Sequence, residues 1–224
     1  MRALAVTGTD TGVGKTVVTA ALAAVASAEG RRVAVVKPAQ TGVAPGAAGD
    51  LDEVRRLSGV EDLHELARYP EPLAPATAAR RAGDSGMGAD AVAAAIGDLA
   101  DRDLVLIEGA GGLLVRLDES GSTLADLASL LGAAVLVVCH PGLGVLNQVA
   151  LTCAALEARG LDCPGVVIGA WPADPGLAER CNLDDLHAYS NKPVLGRVPD
   201  GAAKLDPAAF ADGARDWIST KGLV

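Results

Sequence analysis

The chain alternates between short apolar runs and longer segments whose apolar residues recur at helical spacing. The apolar runs predict strands at residues 3–7, 33–37, 104–107, 134–139, 165–168 and 194–196. The longer segments predict helices at 15–29, 50–57, 89–100, 123–131, 145–159, 177–189 and 207–218, short helices near 62–67 and 75–81, and a short extension at 113–117. Because apolar runs without a polar face are typical of parallel strands covered on both sides, we predict an α/β fold. It would have a mostly parallel sheet with helices on both faces, in a single domain spanning residues 1–224.

The segment between the first predicted strand and the first helix is rich in glycine and contains Gly14-Lys15-Thr16. Glycines allow several backbone N–H groups to face one anion, and the positive end of the following helix adds to their attraction. Lys15 would then contact the outer phosphates of a nucleotide, and the Thr16 hydroxyl would be a ligand for Mg²⁺. The segment therefore predicts a phosphate-binding loop and a fold of the P-loop NTPase type.

Two alternatives to the phosphate loop fit the sequence less well. Five residues separate Gly8 from Gly14, one more than the common spacing, so a plain Gly-rich turn that starts a helix is the simpler alternative. Gly-Lys-Thr directly after a strand favours the phosphate loop. A dinucleotide fingerprint fits poorly, because Val17 stands where a third glycine belongs and the second strand ends in Lys37 instead of an acid.

Distinctive residues collect where the predicted strands end: Lys15, Lys37, Glu108, His140 and Gly169. Ligands of such folds bind at the carboxyl ends of the strands, so we expect these residues to meet in space. Lys37 ends a buried strand, and a charge there needs anions nearby; a lysine that extends to the surface is the alternative. Because the strand end is expected to face solvent, replacing Lys37 should affect folding little.

A metal site is predicted from oxygen ligands near the phosphate loop. Glu108 follows a hydrophobic strand, where this class of NTPases has a metal-binding carboxylate. Mg²⁺ prefers hydroxyl, carboxylate, phosphate and water oxygens, and Thr16, Glu108 and one aspartate would supply the protein part. Asp50 and Asp52 both qualify, although Asp50 also has the position of a helix N-cap.

Two further segments have a functional and a plain interpretation. Residues 109–112 would allow close approach of the backbone to a ligand, or would form a flexible turn. The helix start at 143–147 offers free N–H groups to an anion such as a substrate carboxylate, or is an ordinary helix start.

Composition limits the partners that are expected. The 224 residues carry a formal net charge of −9, which argues against nucleic acid or an anionic membrane, although Lys15 and Lys37 would form a local basic pocket. No signal peptide is visible, and aliphatic runs such as 133–139 are too short to cross a bilayer, so a cytoplasmic protein is expected. The four cysteines are expected to be reduced core thiols: Cys139, Cys153, Cys163 and Cys181. The three histidines are scattered, so no metal cluster is predicted from them: His64, His140 and His187.

Four segments together resemble dethiobiotin synthetases: residues 7–16, Lys37-Pro38 with Gln40-Thr41-Gly42, residues 108–112, and Leu143-Gly144 with Asn147 and Leu151-Thr152. Their order and spacing match over nearly the whole chain, and the five-residue gap after Gly8 is itself a family trait. The resemblance implies an ATP- and Mg²⁺-dependent cyclo-ligase of biotin synthesis. It would convert 7,8-diaminononanoate (7,8-diaminopelargonate) and CO₂ to dethiobiotin, ADP and phosphate, through an N-carbamate and a carbamic–phosphoric anhydride. It also implies a homodimer with one substrate site built across the interface.

The resemblance implies roles for individual residues. The catalytic residues would be Lys37, Lys15 and Thr11. Substrate would be bound by Thr41, with Gly144, Leu146 and Asn147 contributed by the second subunit. Mg²⁺ would be held by Thr16, Asp50 and Glu108, Asp50 being preferred to Asp52 by the family's helix start. The nucleotide would contact Gly12, Val13, Gly14, Lys15, Thr16, Val17, Asp50, Glu108, Gly109, Ala110, Gly111, Gly169, Ala170, Val198, Pro199, Asp200 and Gly201.

The predicted base site lacks one family feature. Dethiobiotin synthetases commonly have an asparagine after the fifth strand that reads the adenine edge. Here the loop at 169–175 has none, the next asparagine is Asn182, and residues 198–202 offer mainly backbone groups. A site without such an amide discriminates weakly, so we expect ATP as co-substrate, with CTP or other nucleoside triphosphates also accepted.

Two other functions are compatible with a phosphate loop. An amidotransferase-coupled cobyrinate synthetase needs a glutaminase domain, for which no residues are left. An ATPase switch of the cell-division or plasmid-partition type has an extra lysine early in the loop, where this chain has Asp10. Such switches usually also need a membrane helix or a DNA-binding surface. The expected partners are small molecules and a second copy of the chain, without nucleic acid or membrane.

Overall fold

A computed structural model describes residues 1–223. The strands are β1 (Arg2–Gly8), β2 (Val33–Lys37), β3 (Gln40–Thr41), β4 (Leu63–Glu65), β5 (Arg68–Tyr69), β6 (Leu104–Gly112), β7 (Ala134–Cys139), β8 (Val166–Trp171) and β9 (Val194–Pro199). The α-helices are α1 (Lys15–Ala28), α2 (Asp50–Ser58), α3 (Pro75–Arg81), α4 (Ala89–Gly97), α5 (Leu124–Leu131), α6 (Val145–Glu157), α7 (Leu177–Ser190) and α8 (Pro207–Trp217). A short 3₁₀ helix at Ala202–Lys204 follows β9.

Seven strands form one parallel sheet in the order β4-β2-β6-β1-β7-β8-β9. β1 lies at its centre between β6 and β7, so the loop that follows β1 starts from the middle of the sheet. The two remaining strands, β3 and β5, form a small parallel sheet of their own. The predicted α/β fold with a mostly parallel sheet is confirmed.

Alternate residues of each strand pack into opposite helix layers. Leu4 and Val6 of β1 belong to the core formed with α1, α2 and α8, whereas Ala5 belongs to the core formed with α4, α5, α6 and α7. The buried face of α1 consists largely of alanine, and small side chains let this helix lie close to the sheet. Since α1 begins at Lys15, this packing fixes where the phosphate loop ends.

The helix predicted near residues 62–67 is wrong. Residues 63–65 form β4, the edge strand that pairs in parallel with β2. The Val35 N–H donates to the Asp62 carbonyl at 2.9 Å, and the Leu66 N–H donates to the Lys37 carbonyl at 3.0 Å. The segment satisfies the open backbone edge of β2, and this tertiary pairing overrides the local helical pattern. The short helix near 75–81 is confirmed as α3.

β6 continues well beyond the predicted end at residue 107. It runs to Gly112, so Glu108 lies inside the strand, beside Val6 of β1, and not in a loop after it. Residues 113–117 form a turn with a single bridge from Arg116 to Thr123, instead of the predicted extension. The sheet therefore holds Glu108 with the rigidity of a central strand.

The cysteines and the helix lengths bear on two expectations from composition. Three cysteines are buried as expected, but Cys181 on α7 is exposed, so it is not a core thiol. Within residues 1–223, every helix is too short or too polar to cross a membrane.

Candidate active site

A cavity of about 750 Å³ opens at the carboxyl ends of β1, β2 and β6. Twelve residues from the sequence-based prediction line it: Thr11, Gly12, Gly14, Lys15, Thr16, Val17, Lys37, Thr41, Asp50, Glu108, Ala110 and Gly111. They come from six separate elements or loops, and the parallel sheet brings them together as expected for strand ends. The prediction that five strand-end residues meet in space is confirmed for Lys15, Lys37 and Glu108, whereas His140 and Gly169 lie outside the cavity lining.

The loop between β1 and α1 curls over the side chain of Lys15. The Thr9 N–H donates to the Val138 carbonyl at 2.9 Å, and the Lys15 ammonium donates to the Asp10 carbonyl at 3.0 Å. Gly14 adopts a left-handed conformation with φ of 97°, which a residue with a side chain rarely adopts. Burial lowers the pKa of Lys15, and the charge of Lys37 lowers it further, against the opposing effect of Glu108 and Asp50. A charged lysine in this position attracts an additional anion.

Lys37 is buried between two carboxylates. Its ammonium lies 2.7 Å from Oε1 of Glu108 and 2.5 Å from Oδ2 of Asp50, and its side chain is 4% exposed. Burial by itself lowers the pKa of Lys37, but Glu108 and Asp50 together outweigh burial and raise it above its usual value. The expectation of a solvent-facing strand end is therefore wrong, and the alternative of a surface lysine is excluded.

The residues near Lys37 fit a magnesium ion. The Thr16 hydroxyl donates to Oε1 of Glu108 at 2.9 Å, whereas the buried Oε2 of Glu108 has no hydrogen-bond partner within the described chain. A buried carboxylate oxygen without a partner is costly unless a ligand satisfies it. Residues 1–223 contain no group of three or more His, Cys, Asp or Glu side chains suited to a metal. The hydroxyl and two carboxylates therefore fit Mg²⁺ only if phosphate and water oxygens complete its shell, as is usual for this ion.

The choice between Asp50 and Asp52 depends on how α2 begins. The N-cap is Gly49, not Asp50, and Oδ2 of Asp52 accepts the Gly49 N–H at 2.7 Å. Asp52 therefore stabilises the helix start, while Asp50, the first helical residue, directs its carboxylate at Lys37. The predicted N-cap role of Asp50 is wrong, and the geometry favours Asp50 over Asp52 as a metal ligand.

Seven residues that line the cavity were not predicted as site residues: Ala39, Gln40, Pro72, Leu73, Ala74, Pro75 and Val115. Gln40 is 4% exposed, and the local sequence gives no sign that this polar side chain is buried. The segment 72–75 has only its prolines as a signal in the sequence. Its approach to the cavity depends on α3 and β5 packing beside β3.

Several predicted nucleotide residues lie outside the cavity lining. Val13 packs its side chain into the core, and Gly109 lies in β6, where its carbonyl accepts a hydrogen bond from Lys37 at 3.4 Å. Gly169 packs against the phosphate loop, since a Cβ added there would lie 2.0 Å from the Val13 carbonyl oxygen. The remaining predicted nucleotide residues also lie outside the cavity lining: Ala170 in β8, Val198 and Pro199 at the end of β9, and Asp200 and Gly201 after it.

The three residues predicted to bind substrate at the start of α6 also lie outside the cavity of their own chain: Gly144, Leu146 and Asn147. Gly144 caps α6 with a left-handed φ of 93° and no side-chain hydrogen bond. In the described part of the chain, the N–H groups of Leu146 and Asn147 have no acceptor. The structure of one chain thus leaves this helix start free.

The curled loop over Lys15, at the centre of a parallel sheet, defines the class: this is a P-loop nucleoside-triphosphate-binding protein. A family model described as an AAA domain matches residues 2–207. Curated relatives called ATP-dependent dethiobiotin synthetase BioD are 62% identical in Frankia casuarinae and 58% identical in both Streptomyces coelicolor and Rhodococcus jostii. The matches cover 96%, 98% and 100% of this chain and 91%, 92% and 97% of those proteins. The chain belongs to the ATP-dependent dethiobiotin synthetase family.

Solved structures of lower identity share the fold alone. The cell-division ATPase MinD of Pyrococcus furiosus has a TM-score of 0.62 at 19% identity, covering 100% of this chain and 99% of that one. Chloroplast FtsY from Physcomitrella patens has a TM-score of 0.51 at 21% identity, covering 96% of this chain and 65% of that one.

Proposed function

We propose that this protein is an ATP- and Mg²⁺-dependent dethiobiotin synthetase, a cyclo-ligase of biotin biosynthesis. It converts 7,8-diaminononanoate and CO₂ to dethiobiotin, and ATP to ADP and phosphate. The observation that carries the proposal is that two buried lysines, Lys15 and Lys37, face one cavity beside a P-loop. Every intermediate of this ring closure is anionic, so a site rich in cations and N–H donors suits it better than a strong base.

The residues of the cavity match the steps of the reaction. One amine of the substrate takes up CO₂ as a carbamate, whose oxygen attacks the γ-phosphorus and forms a carbamic–phosphoric anhydride. The second amine closes the ring and expels phosphate. Lys15 and Lys37 hold the carbamate and the γ-phosphate, and their charges stabilise the anions that develop. Thr11 and Thr41, on the wall of the same cavity, orient the diamine and the carbamate.

Thr16, Asp50 and Glu108 would hold Mg²⁺, in keeping with the partnerless Oε2 of Glu108. When bound, the metal neutralises charge on the phosphates and on the leaving ADP. The backbone of the phosphate loop and of residues 109–111 surrounds the phosphates. Residues 169–170 and 198–201 would contact the base, through backbone groups that accept ATP and also CTP or other nucleoside triphosphates.

The substrate carboxylate would be bound by a second copy of the chain. Leu143 in the turn before α6, and Asn147 and Leu151 on α6, are spaced four residues apart and exposed, and the two leucines are 84% and 63% exposed. Exposed leucines beside unpaired N–H groups fit a dimer interface. At this interface, Gly144, Leu146 and Asn147 of one subunit would line the cavity of the other. The proposed enzyme is a cytoplasmic homodimer of single-domain chains, residues 1–224 each, that acts on small molecules without nucleic acid or membrane.

Phosphate release tests the proposal directly. It should require the diamine, bicarbonate as the source of CO₂, and Mg²⁺ together, and dethiobiotin should appear in equal amounts. Omitting the diamine gives the decisive comparison, because an ATPase switch hydrolyses ATP alone or with a polymer. Rapid ATP hydrolysis without the diamine would falsify the proposed synthetase activity.

A further inference from the structure

Gln40 is a buried polar residue for which the proposed mechanism has no role. Its side chain lies between the segment that carries Thr41 and the helix that carries Asp50. Oε1 of Gln40 accepts the Asp50 N–H at 2.8 Å, and Nε2 donates to the Thr41 carbonyl at 3.2 Å. The Gln40 N–H donates to the Ala67 carbonyl at 2.8 Å, which anchors its backbone in the small sheet.

The hydrogen bond to Asp50 satisfies a helix terminus from outside the helix. The first N–H groups of a helix have no partner within it, and the N-cap, Gly49, has no side chain to offer. Asp52 accepts the Gly49 N–H, and Gln40 accepts the next one, from Asp50. The start of α2 is therefore tied to β3 at the residue whose carboxylate contacts Lys37.

Gly49 is needed for this contact. A Cβ at position 49 would lie 2.9 Å from Oε1 of Gln40 and 3.0 Å from Nη2 of Arg68. The φ of Gly49 is −114°, a value open to any residue. A glycine is therefore needed here because Gln40 and Arg68 approach its Cα closely, and not because of its backbone conformation. Arg68 of β5 also donates to the carbonyl of Ala47 at 2.6 Å, which holds the loop before α2 against the small sheet of β3 and β5.

We propose that Gln40 is a positioning residue that fixes the Asp50 carboxylate where the metal of a metal–nucleotide complex meets it. The inference rests on the proposed function, in which Asp50 is a metal ligand. Gln40 contacts neither the metal nor the phosphates in this proposal; it acts through the backbone of Asp50. Losing Gln40 should therefore weaken metal binding while leaving nucleotide binding to the phosphate loop intact.

The test measures Mn²⁺ binding by electron paramagnetic resonance in the presence of a non-hydrolysable ATP analogue. In Gln40→Met, which keeps the length but removes both hydrogen-bonding groups, the Kd for Mn²⁺ should rise about 10-fold, since mutation of outer-shell residues typically costs 10–100-fold. Gln40→Glu keeps an acceptor for the Asp50 N–H and should stay within about 3-fold of wild type. The Kd for the analogue without metal should change by less than about 3-fold in both, because the phosphate loop is untouched.

Asp206→Ala is the control for general loss of stability. Asp206 caps α8 by accepting the N–H groups of Ala208 and Ala209 and lies outside the cavity lining, so its loss should lower the melting temperature without changing Mn²⁺ affinity. If Gln40→Met does not fold, Gly49→Ala, which displaces Oε1 of Gln40, should weaken Mn²⁺ binding in the same direction. Unchanged Mn²⁺ affinity in the folded variant, or equal weakening in Asp206→Ala, overturns the role of Gln40. Absence of dethiobiotin formation by the wild type would instead overturn the proposed function.

Discussion

The Lys37 ammonium and the Glu108 carboxylate form an ion pair of 2.7 Å in which the two residues are only 3% and 0% exposed. Breaking such a buried pair from one side leaves an uncompensated charge in a medium of low dielectric. Asp50 adds a second carboxylate to the same ammonium at 2.5 Å. The proposed catalytic centre therefore also contributes to the protein's stability, and changes at Lys37 should affect both activity and stability.

Replacing Lys37 by methionine should lower turnover by about 100-fold or more, because the charge that stabilises the developing anions is lost. The free energy of unfolding should fall by about 3 kcal/mol, the cost of leaving one member of a buried pair alone. Turnover at saturating substrates and urea denaturation measure the two effects. Lys221→Met, at an exposed lysine, should change neither. Normal turnover in folded Lys37→Met would show that Lys37 has no catalytic role.

The same substitution should create a metal site in the absence of nucleotide. In the wild type, Lys37 already pairs with both carboxylates, so Mg²⁺ alone should leave the melting temperature unchanged. In Lys37→Met the two carboxylates have no cation, and Mg²⁺ should stabilise the fold; a Kd of about 1 mM would give about 1.4 kcal/mol at about 10 mM Mg²⁺. Adding Asp50→Asn should remove that effect. Equal stabilisation of wild type and Lys37→Met by Mg²⁺ would mean that lysine and metal do not compete.

How far the sequence predicts this site depends on how local each signal is. Lys15 and Thr16 follow a glycine pattern confined to a few residues, and Lys37 ends an unbroken apolar run, so all three positions are visible in the sequence. The roles of Asp50 and Asp52 depend on which residue is the N-cap, and helix boundaries are uncertain from sequence by a residue or two. Gln40 and the strand at 63–65 depend on pairing with distant segments, for which the local pattern contains no signal.

Gly169→Ala should displace the phosphate loop through a direct clash with its backbone. The added Cβ would lie 2.0 Å from the Val13 carbonyl oxygen and 3.0 Å from the Cα of Gly14, so the loop or β8 has to move. We expect nucleotide affinity to fall by about 10-fold or more, since small displacements of positioned groups have large effects. Isothermal titration with an ATP analogue measures this. Gly97→Ala, where no atom lies within 4 Å, is the matched control and should bind normally. Normal nucleotide affinity in Gly169→Ala would show that the loop tolerates the displacement.

Mixing two inactive variants should restore activity if the substrate site is shared between subunits. Lys15→Ala removes the phosphate-loop charge, and Asn147→Ala alters the α6 start that would serve the neighbouring subunit. Random exchange of equal amounts makes half of the dimers hybrids, each with one intact site, so activity should reach about one quarter of wild type. Initial rates before and after subunit exchange test this. No gain of activity, together with a monomer in sedimentation, would contradict the shared site.

The last prediction concerns the base of the nucleotide, and it depends on what Asn182 and Trp171 already contact. Asn182, the first asparagine after β8, is 7% exposed and donates to the carbonyls of Pro141 and Gly142, both at 2.9 Å, so its amide N–H groups are occupied. The Trp171 carbonyl accepts the Asp200 N–H at 2.7 Å, and the Arg197 guanidinium lies 5.1 Å from the centre of the Trp171 ring. The loop at 169–175 therefore has no free side-chain amide to read adenine.

A base site of this kind leaves few protein hydrogen-bonding groups unpaired when the base changes, so discrimination between nucleotides should be weak. We expect initial rates with subsaturating ATP, CTP, GTP and UTP to agree within about 10-fold, whereas a site built to hydrogen-bond its ligand can reach about 10⁴. CTP should be used well, because a small pyrimidine fits a narrow slot between backbone segments. The diamine and bicarbonate are held fixed, so that the phosphate loop and metal, which do not sense the base, contribute equally to every rate. A preference for ATP above about 100-fold would mean that a group elsewhere in the chain reads the base.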